Sequence, residues 1–183
     1  MTSIYLVRHG DYDYRDAAPA TVGQGLTTRG KGQAEATAKW LADADSGIRT
    51  IRSSDFTRAV ETASILVDAL PRAGLEIDPV FRECDDVYFK DTDRVPPSAM
   101  ETFDTLCGPV VKHPNPMAGV CHANLIRYLL SRLLVWTRQE WESVHIGNCS
   151  VSIVKLQTEP EPGHHVLQVA TLRHLPSQLL DNF

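Results

Sequence analysis

The chain has 183 residues, a length that fits one domain able to bury a core without staples. Hydrophobic residues make up 43% and charged residues 22%, ordinary values for a soluble globular protein. A net charge of −5 and a pI near 5.8 argue against a broad basic face, so no nucleic-acid partner is expected.

Residues 1–7 run straight into a strand-like segment with no leader pattern, and no apolar run approaches the roughly 20 residues that cross a bilayer. Cys84, Cys107, Cys121 and Cys149 are scattered, with no C-x-x-C pair and no zinc-like spacing. Free thiols in a reducing compartment fit this pattern, and a cytoplasmic location is expected. Residues 1–183 are read as a single domain; the sequence leaves homo-oligomerisation open.

Short β-rich runs lie at residues 3–7, 49–52, 75–80, 117–121, 150–156 and 165–172. From Arg29, apolar residues recur at Ala34, Ala38, Leu41 and Ala42, one stripe of a helix. A second helix is expected to start at Ser54 or Asp55 as N-cap, to bury Val60, Ala63, Val67 and Leu70, and to end before Pro71. Residues 125–135 are apolar nearly all round, the mark of a deeply packed helix. Thr137 and Glu140 form a capping box for a short helix through Val144. Residues 91–97 and 113–116 read as loops. Strands alternating with helices predict an α/β fold with a mostly parallel sheet covered on both faces. The last two strands, joined across a Glu-, Pro- and Gly-rich stretch at 157–163, predict a hairpin near a sheet edge.

The first strand ends in Arg8-His9-Gly10. Ligands gather beyond the carboxyl ends of strands in such sheets, and Gly10 allows close backbone approach. Alone, this tripeptide reads equally well as a surface His and Arg at a strand end. A second histidine, His122, stands in the same situation: it follows the strand ending at Cys121 and precedes a helix whose free N–H groups suit phosphate. Arg58 lies in the first turn of the helix after Ser54, where a cation is mildly unfavourable for the dipole and a phosphate ligand would account for it. Glu83, just past the third strand, is by itself a solvated charge; beside two histidines and two arginines it is a candidate proton donor and acceptor.

The segments I-Y-L-V-R-H-G (4–10), L-T-T-R-G-K-G-Q-A (26–34), R-S-S-D-F-T-R-A-V-E-T-A (52–63), F-R-E (81–83) and V-C-H-A-N-L-I-R (120–127) resemble, in order and spacing, the histidine phosphatase superfamily with its phosphoglycerate-mutase-like fold. The resemblance runs from Ile4 to about Leu175, where T-L-R-H-L-P (171–176) is similar to the family's closing segment. C-H-A-N-L-I-R-Y is most similar to the mutase-like protein serine/threonine phosphatases of the mitochondrial branch.

The resemblance implies a phosphate pocket of Arg8, His9, Arg58 and His122, with Glu83 as general acid. Phosphoryl transfer needs an in-line nucleophile, positive charge around the equatorial oxygens and a proton for the leaving oxygen. His9 supplies the first if its attacking nitrogen is unprotonated, a state that neighbouring arginines favour. Arg8, Arg58, His122 and helix N–H groups such as that of Ala123 supply the second. Glu83 supplies the third and can then activate water against phospho-His9. This scheme needs neither metal nor cofactor. The substrate is a phosphorylated small molecule or a phosphoprotein, and residues 11–25 and 91–116 are expected to set specificity.

After the acid, mutases of the family carry R-H-Y-G, whereas this chain reads E-C-D-D-V-Y-F-K (83–90), which disfavours the mutase alternative and leaves Asp85 and Asp86 as competing acids. The further alternative, a decayed binding or scaffold protein, sits poorly with a full set of charged pocket residues.

Overall fold

The computed structural model describes residues 2–13, 23–91, 93–107, 114–157 and 163–181. Six strands, β1 (Thr2–Arg8), β2 (Thr50–Ser53), β3 (Gly74–Ile77), β4 (Met117–Cys121), β5 (Val151–Gln157) and β6 (Gly163–Thr171), form one sheet in the order β3-β2-β4-β1-β5-β6. β3, β2, β4 and β1 run parallel, while β5 and β6 add an antiparallel edge. The helices are α1 (Thr28–Asp43), α2 (Thr57–Ala69), α3 (Pro97–Cys107), α4 (Ala123–Leu134) and α5 (Arg138–Ser143).

Strand side chains alternate between two cores, as the pleat requires. Val7, Ile51, Ala118 and Val120 face Ala38 and Leu41 of α1 and Ala59, Ala63 and Leu66 of α2. Ile4, Leu6, Met117 and Cys121 face Ala99 and Leu106 of α3, Leu125, Ile126 and Leu129 of α4, and Trp141 of α5. Both sheet faces are therefore covered, as expected, and the edge hairpin is the expected β5–β6 pair.

Thr27 caps α1 by accepting from the Gly30 N–H at 3.0 Å, and Ala34, Ala38 and Leu41 are buried; Ala42, expected on the same stripe, is exposed. α5 carries the expected capping box between Thr137 and Glu140. α4 is buried along most of its length and ends at Val135 in the left-handed region, with φ 53°.

Three expectations need correction. The N-cap of α2 is Phe56, with no side-chain cap bond, because Asp55 is held by Arg82 and the Ser54 hydroxyl faces His122. The buried face of α2 is Arg58, Ala59, Thr62, Ala63 and Leu66; Val60 and Val67 are only half-buried. Thr62 can turn inward because its hydroxyl accepts from Gly10 N at 3.0 Å and donates to Arg58 O at 2.7 Å. The third strand stops at Ile77, not Val80: Pro79 has no ladder donor, and Asp78 caps a 3₁₀ turn over Pro79–Phe81 by accepting from Val80 N at 3.0 Å.

α3 was not among the expected elements. The expected loop at 91–97 gives way to it at Pro97, a residue preorganised for a first helical position. Of the loops expected to set specificity, residues 14–22, 92 and 108–113 lie outside the described residues, and so does His113 of the expected 113–116 loop.

Two glycines fix how β1 meets α1. A Cβ on Gly10 would stand 2.6 Å from the Gly30 carbonyl oxygen, and one on Gly30 would overlap the Asp11 carbonyl. Gly30→Ala should therefore lower the stability measured by urea unfolding by roughly 1–3 kcal/mol, the range for overpacking, with a parallel loss of activity as Gly10 and Asp11 shift. An unchanged urea midpoint would show that this approach is not required.

Candidate active site

The residues after β1, β2 and β4 meet at one end of the sheet. Arg8 pairs with Cys121, His9 N donates to Cys121 O at 3.0 Å, and Ser54 N donates to Val120 O at 3.0 Å. His9 and His122 are thus set side by side, with ring centroids 5.0 Å apart, and both are buried.

Hydrogen bonds settle their tautomers. Arg58 Nε lies 3.2 Å from His9 Nε2, and a guanidinium can only donate, so Nε2 accepts. The proton is then on Nδ1, 2.8 Å from the Gly10 carbonyl oxygen that takes it. By the same reasoning, Arg58 Nη2 at 3.4 Å makes His122 Nδ1 an acceptor, and its Nε2 donates to Ser54 Oγ at 2.9 Å. Burial holds the His9 pKa well below its usual value, and the His122 and Arg8 charges push the same way. Burial likewise depresses His122, helped by Arg58 and Arg8. Both imidazoles are neutral at pH 7, and the His9 Nε2 lone pair is the one that accepts from Arg58.

Arg58 is buried between two rings: its guanidinium carbon stands 4.4 Å from the Tyr12 centroid and 4.8 Å from that of Phe56. Tyr12 also meets His9 edge-on at 5.2 Å, and Phe56 meets His122 edge-on at 5.0 Å. Burial lowers the pKa of Arg58 and of Arg8, but arginine stays cationic at neutral pH. Arg8 Nη1 donates to Ile146 O at 2.7 Å; its Nε is buried and has no partner among the described residues.

Glu83 is half-buried at the start of α4, where its carboxylate accepts from Leu125 N and Cys84 N at 3.1 Å each and from Asn124 N at 3.5 Å. The helix N-terminus expected to hold substrate phosphate thus already holds a carboxyl group of the protein's own. Burial raises the pKa of Glu83 against the pull of these N–H groups, which favours a protonated carboxyl. Its charge also acts on Arg8 and Arg58. Asp85 and Asp86 are exposed, and Asp86 is paired with Arg127 at 2.8 Å. His9, Arg58 and His122 therefore meet, Arg8 and Glu83 lie close enough for their charges to act on them, and Ala123 follows His122 as the first residue of α4, whereas the two exposed aspartates do not join them. Among the described residues no three His, Cys, Asp or Glu side chains gather as metal ligands.

Sequence reasoning missed the supports of this site. Ser54, read as a helix cap, holds His122. Asn148 Nδ2 donates to His9 O at 3.1 Å, and Asn148 N donates to Asp181 Oδ2 at 2.9 Å. Buried Gln33 accepts from Asp11 N at 2.8 Å and donates to Asp181 Oδ1 at 3.2 Å and Leu179 O at 2.7 Å. N-C-S (148–150) and the Gln of G-K-G-Q-A (30–34) carried no local signal of these roles.

The depressed histidines tie stability to acid. The unfolded chain takes up protons as pH falls through about 6.5 while buried His9 and His122 stay neutral, so stability is lost in that direction. Each histidine contributes up to one proton, about 1.4 kcal/mol per pH unit. Urea unfolding between pH 6.5 and 5.5 should show a slope shallower by up to that amount in His122→Gln than in the wild type; identical slopes would mean that His122 titrates normally in the fold.

The model of the histidine phosphatase superfamily (branch 1) matches residues 4–95 and 99–165. The serine/threonine-protein phosphatase Pgam5, mitochondrial, of Caenorhabditis elegans is 29% identical over 95% of this chain, and the human protein of that name is 27% identical over 81%. The chain spans 64% of the length of the nematode relative and 56% of the human one. Among solved structures, a phosphoglycerate mutase from Plasmodium falciparum superposes with a TM-score of 0.69 at 26% identity, covering 100% of this chain and 98% of that one. The protein histidine phosphatase SixA shares the fold with a TM-score of 0.63 at 20% identity, covering 90% and 94%. The chain, matched along most of its length, belongs to the histidine phosphatase superfamily.

Proposed function

We propose that this chain is a metal-independent phosphatase that hydrolyses phosphomonoesters through a phosphohistidine on His9, with phosphoproteins as its substrates. The observation that carries the reading is the neutral, buried His9, whose Nε2 faces Arg58 while Nδ1–H is held by Gly10. Relatives named serine/threonine-protein phosphatases support the substrate class. The domain is taken as residues 1–183.

In the first step His9 Nε2 attacks phosphorus and the ester bond breaks, with Glu83 giving its proton to the leaving oxygen. Arg8, Arg58, His122 and the Ala123 N–H surround the equatorial oxygens, where charge must be met. Gly10 O, which accepts from Nδ1–H, stabilises the positive charge that the phosphorylated ring acquires. In the second step Glu83, now a carboxylate, takes a proton from water as that water attacks phosphorus. Inorganic phosphate leaves, and His9 and protonated Glu83 are restored. The sum is one ester and one water converted to one alcohol and one phosphate.

A mutase would return the phosphoryl group to the bound product, and the likeness to a phosphoglycerate mutase keeps that reading in view. Release of inorganic phosphate against formation of an isomer separates the two. For location, the expected cytoplasm stands against relatives whose names carry "mitochondrial", and among the described residues no helix is long and apolar enough to cross a membrane. Imaging of a tagged full-length protein decides between the compartments.

His9→Ala should abolish both turnover and radiolabel retention from a ³²P-phosphoester; normal hydrolysis of p-nitrophenyl phosphate by this variant would end the mechanism. Activity should survive prolonged EDTA treatment, and loss upon chelation with recovery upon adding Mg²⁺ or Zn²⁺ would assign the site to metal chemistry. Glu83→Gln should slow alkyl phosphates by roughly 10²–10⁴-fold, the range for acid–base help, and p-nitrophenyl phosphate much less, since that leaving group needs no proton. If Asp85→Asn or Asp86→Asn shows this selective loss instead, the acid has been misassigned.

A further inference from the structure

We propose that the groove lined by Phe89, Lys90, Val95, Met100, Tyr128 and Arg132 docks the segment flanking the phosphorylated residue of a phosphoprotein, and reads there an acidic side chain beside an apolar one. This rests on the phosphoprotein reading above and adds to it a sequence preference. The groove encloses about 500 Å³, within the range of ligand sites. Its floor is apolar: Tyr128 is buried, Phe89 and Val95 are half-buried, and Met100 is 45% exposed.

The cations at its edge have no acidic partner among the described residues. Arg29, Arg52, Arg82, Arg127 and Arg138 each lie within ion-pair distance of an aspartate of the fold. Arg132 stacks on Phe103 at 3.9 Å and donates to the Tyr128 hydroxyl at 3.1 Å, yet no described carboxylate pairs with it. Lys90 stands 5.5 Å from the Phe89 centroid and has no described carboxylate partner either. Two uncompensated cations over an apolar floor complement a side-chain pair such as Glu-Leu or Asp-Phe.

The groove is lined in part by α4, the helix whose N-terminus adjoins the active site. Asn124, Tyr128 and Arg132 follow one another at intervals of four on α4, so they form a single row. The row begins where Asn124 N meets Glu83 and Asn124 Nδ2 donates to Cys84 O at 3.3 Å. The chain from Glu83 to Lys90 runs beside the helix, fastened by Arg127–Asp86 and by Tyr88 Oη donating to Trp136 O at 2.6 Å. Arg132 lies nine residues beyond Ala123, about 14 Å along the helix at 1.5 Å per residue. An extended peptide covers that in about four residues at 3.3–3.6 Å each. A small phosphate ester would not reach the groove, whereas a protein chain would.

The test compares phosphoserine peptides that carry Glu-Leu, Lys-Leu or Ala-Ala four residues before or after the phosphoserine, with p-nitrophenyl phosphate as control. For the wild type, one Glu-Leu peptide should show kcat/KM at least tenfold above its Lys-Leu counterpart, through KM. Lys90→Glu, at an exposed position, should reverse that order, and Arg132→Gln should flatten it; both should leave p-nitrophenyl phosphate turnover unchanged. Equal rates for all peptides, or a preference that persists in both variants, would overturn the groove while sparing the phosphoprotein reading. Hydrolysis of p-nitrophenyl phosphate but of no phosphopeptide would overturn both, and loss of all hydrolysis in the wild type would overturn the phosphatase reading itself.

Discussion

Parallel pairing of β1 with β4 in the register Arg8–Cys121 makes the next residue of each strand a neighbour of the other. Those residues are His9 and His122, which that register sets side by side. A slip of one residue would turn each strand's core side chains to the opposite face, so the packing of Leu6 and Val7 on opposite sides also guards the position of His9. β4 enters between β2 and β1, which brings the β2 end and the helix bearing Arg58 into the same space. Sheet order, and not proximity in sequence, gathers residues 8, 9, 58, 83 and 122.

Gathering them has an electrostatic cost that the local structure offsets group by group. Two imidazoles and two guanidinium groups share a buried volume in which four positive charges would be strongly unfavourable. The imidazoles stay neutral, each with one nitrogen donating to a fixed oxygen and the other accepting from Arg58. Arg58 spreads its own charge over the faces of Tyr12 and Phe56, and Glu83 stands near enough to act on both arginines. The Glu83 carboxyl group in turn accepts from the first turn of α4. Burial sets the direction of each shift in the cluster, and the neighbouring charges modify it.

What could be read in the sequence was what is local. The β4 bounds, the box at Thr137 and Glu140, and the strand-end positions of His9 and His122 follow from patterns a few residues long. The inner face of α2 was misread because Arg58 and Thr62 are polar, and only the partners they meet, His9 and Gly10, make their burial tolerable. α3 escaped because its buried positions, Ala99, Thr102 and Leu106, include one threonine, whose hydroxyl is satisfied by Val80 O and Ser98 O. Gln33, Asn148 and Asp181 lie too far apart for any periodicity to connect, so their joint hold on the loops beside His9 exists only in the folded chain.

The hydrogen bond from Arg58 to His9 Nε2 means that the attacking electron pair is already engaged when the pocket is empty. A neutral electrophile meets a capped nitrogen and has nothing with which to displace the cap. A dianionic phosphoryl group does, because the guanidinium that guards the lone pair is also the group its oxygens attract most strongly. On the proposed mechanism, recognition by charge would precede exposure of the nucleophile, so that the site would screen its visitors before any fit of shape is tried.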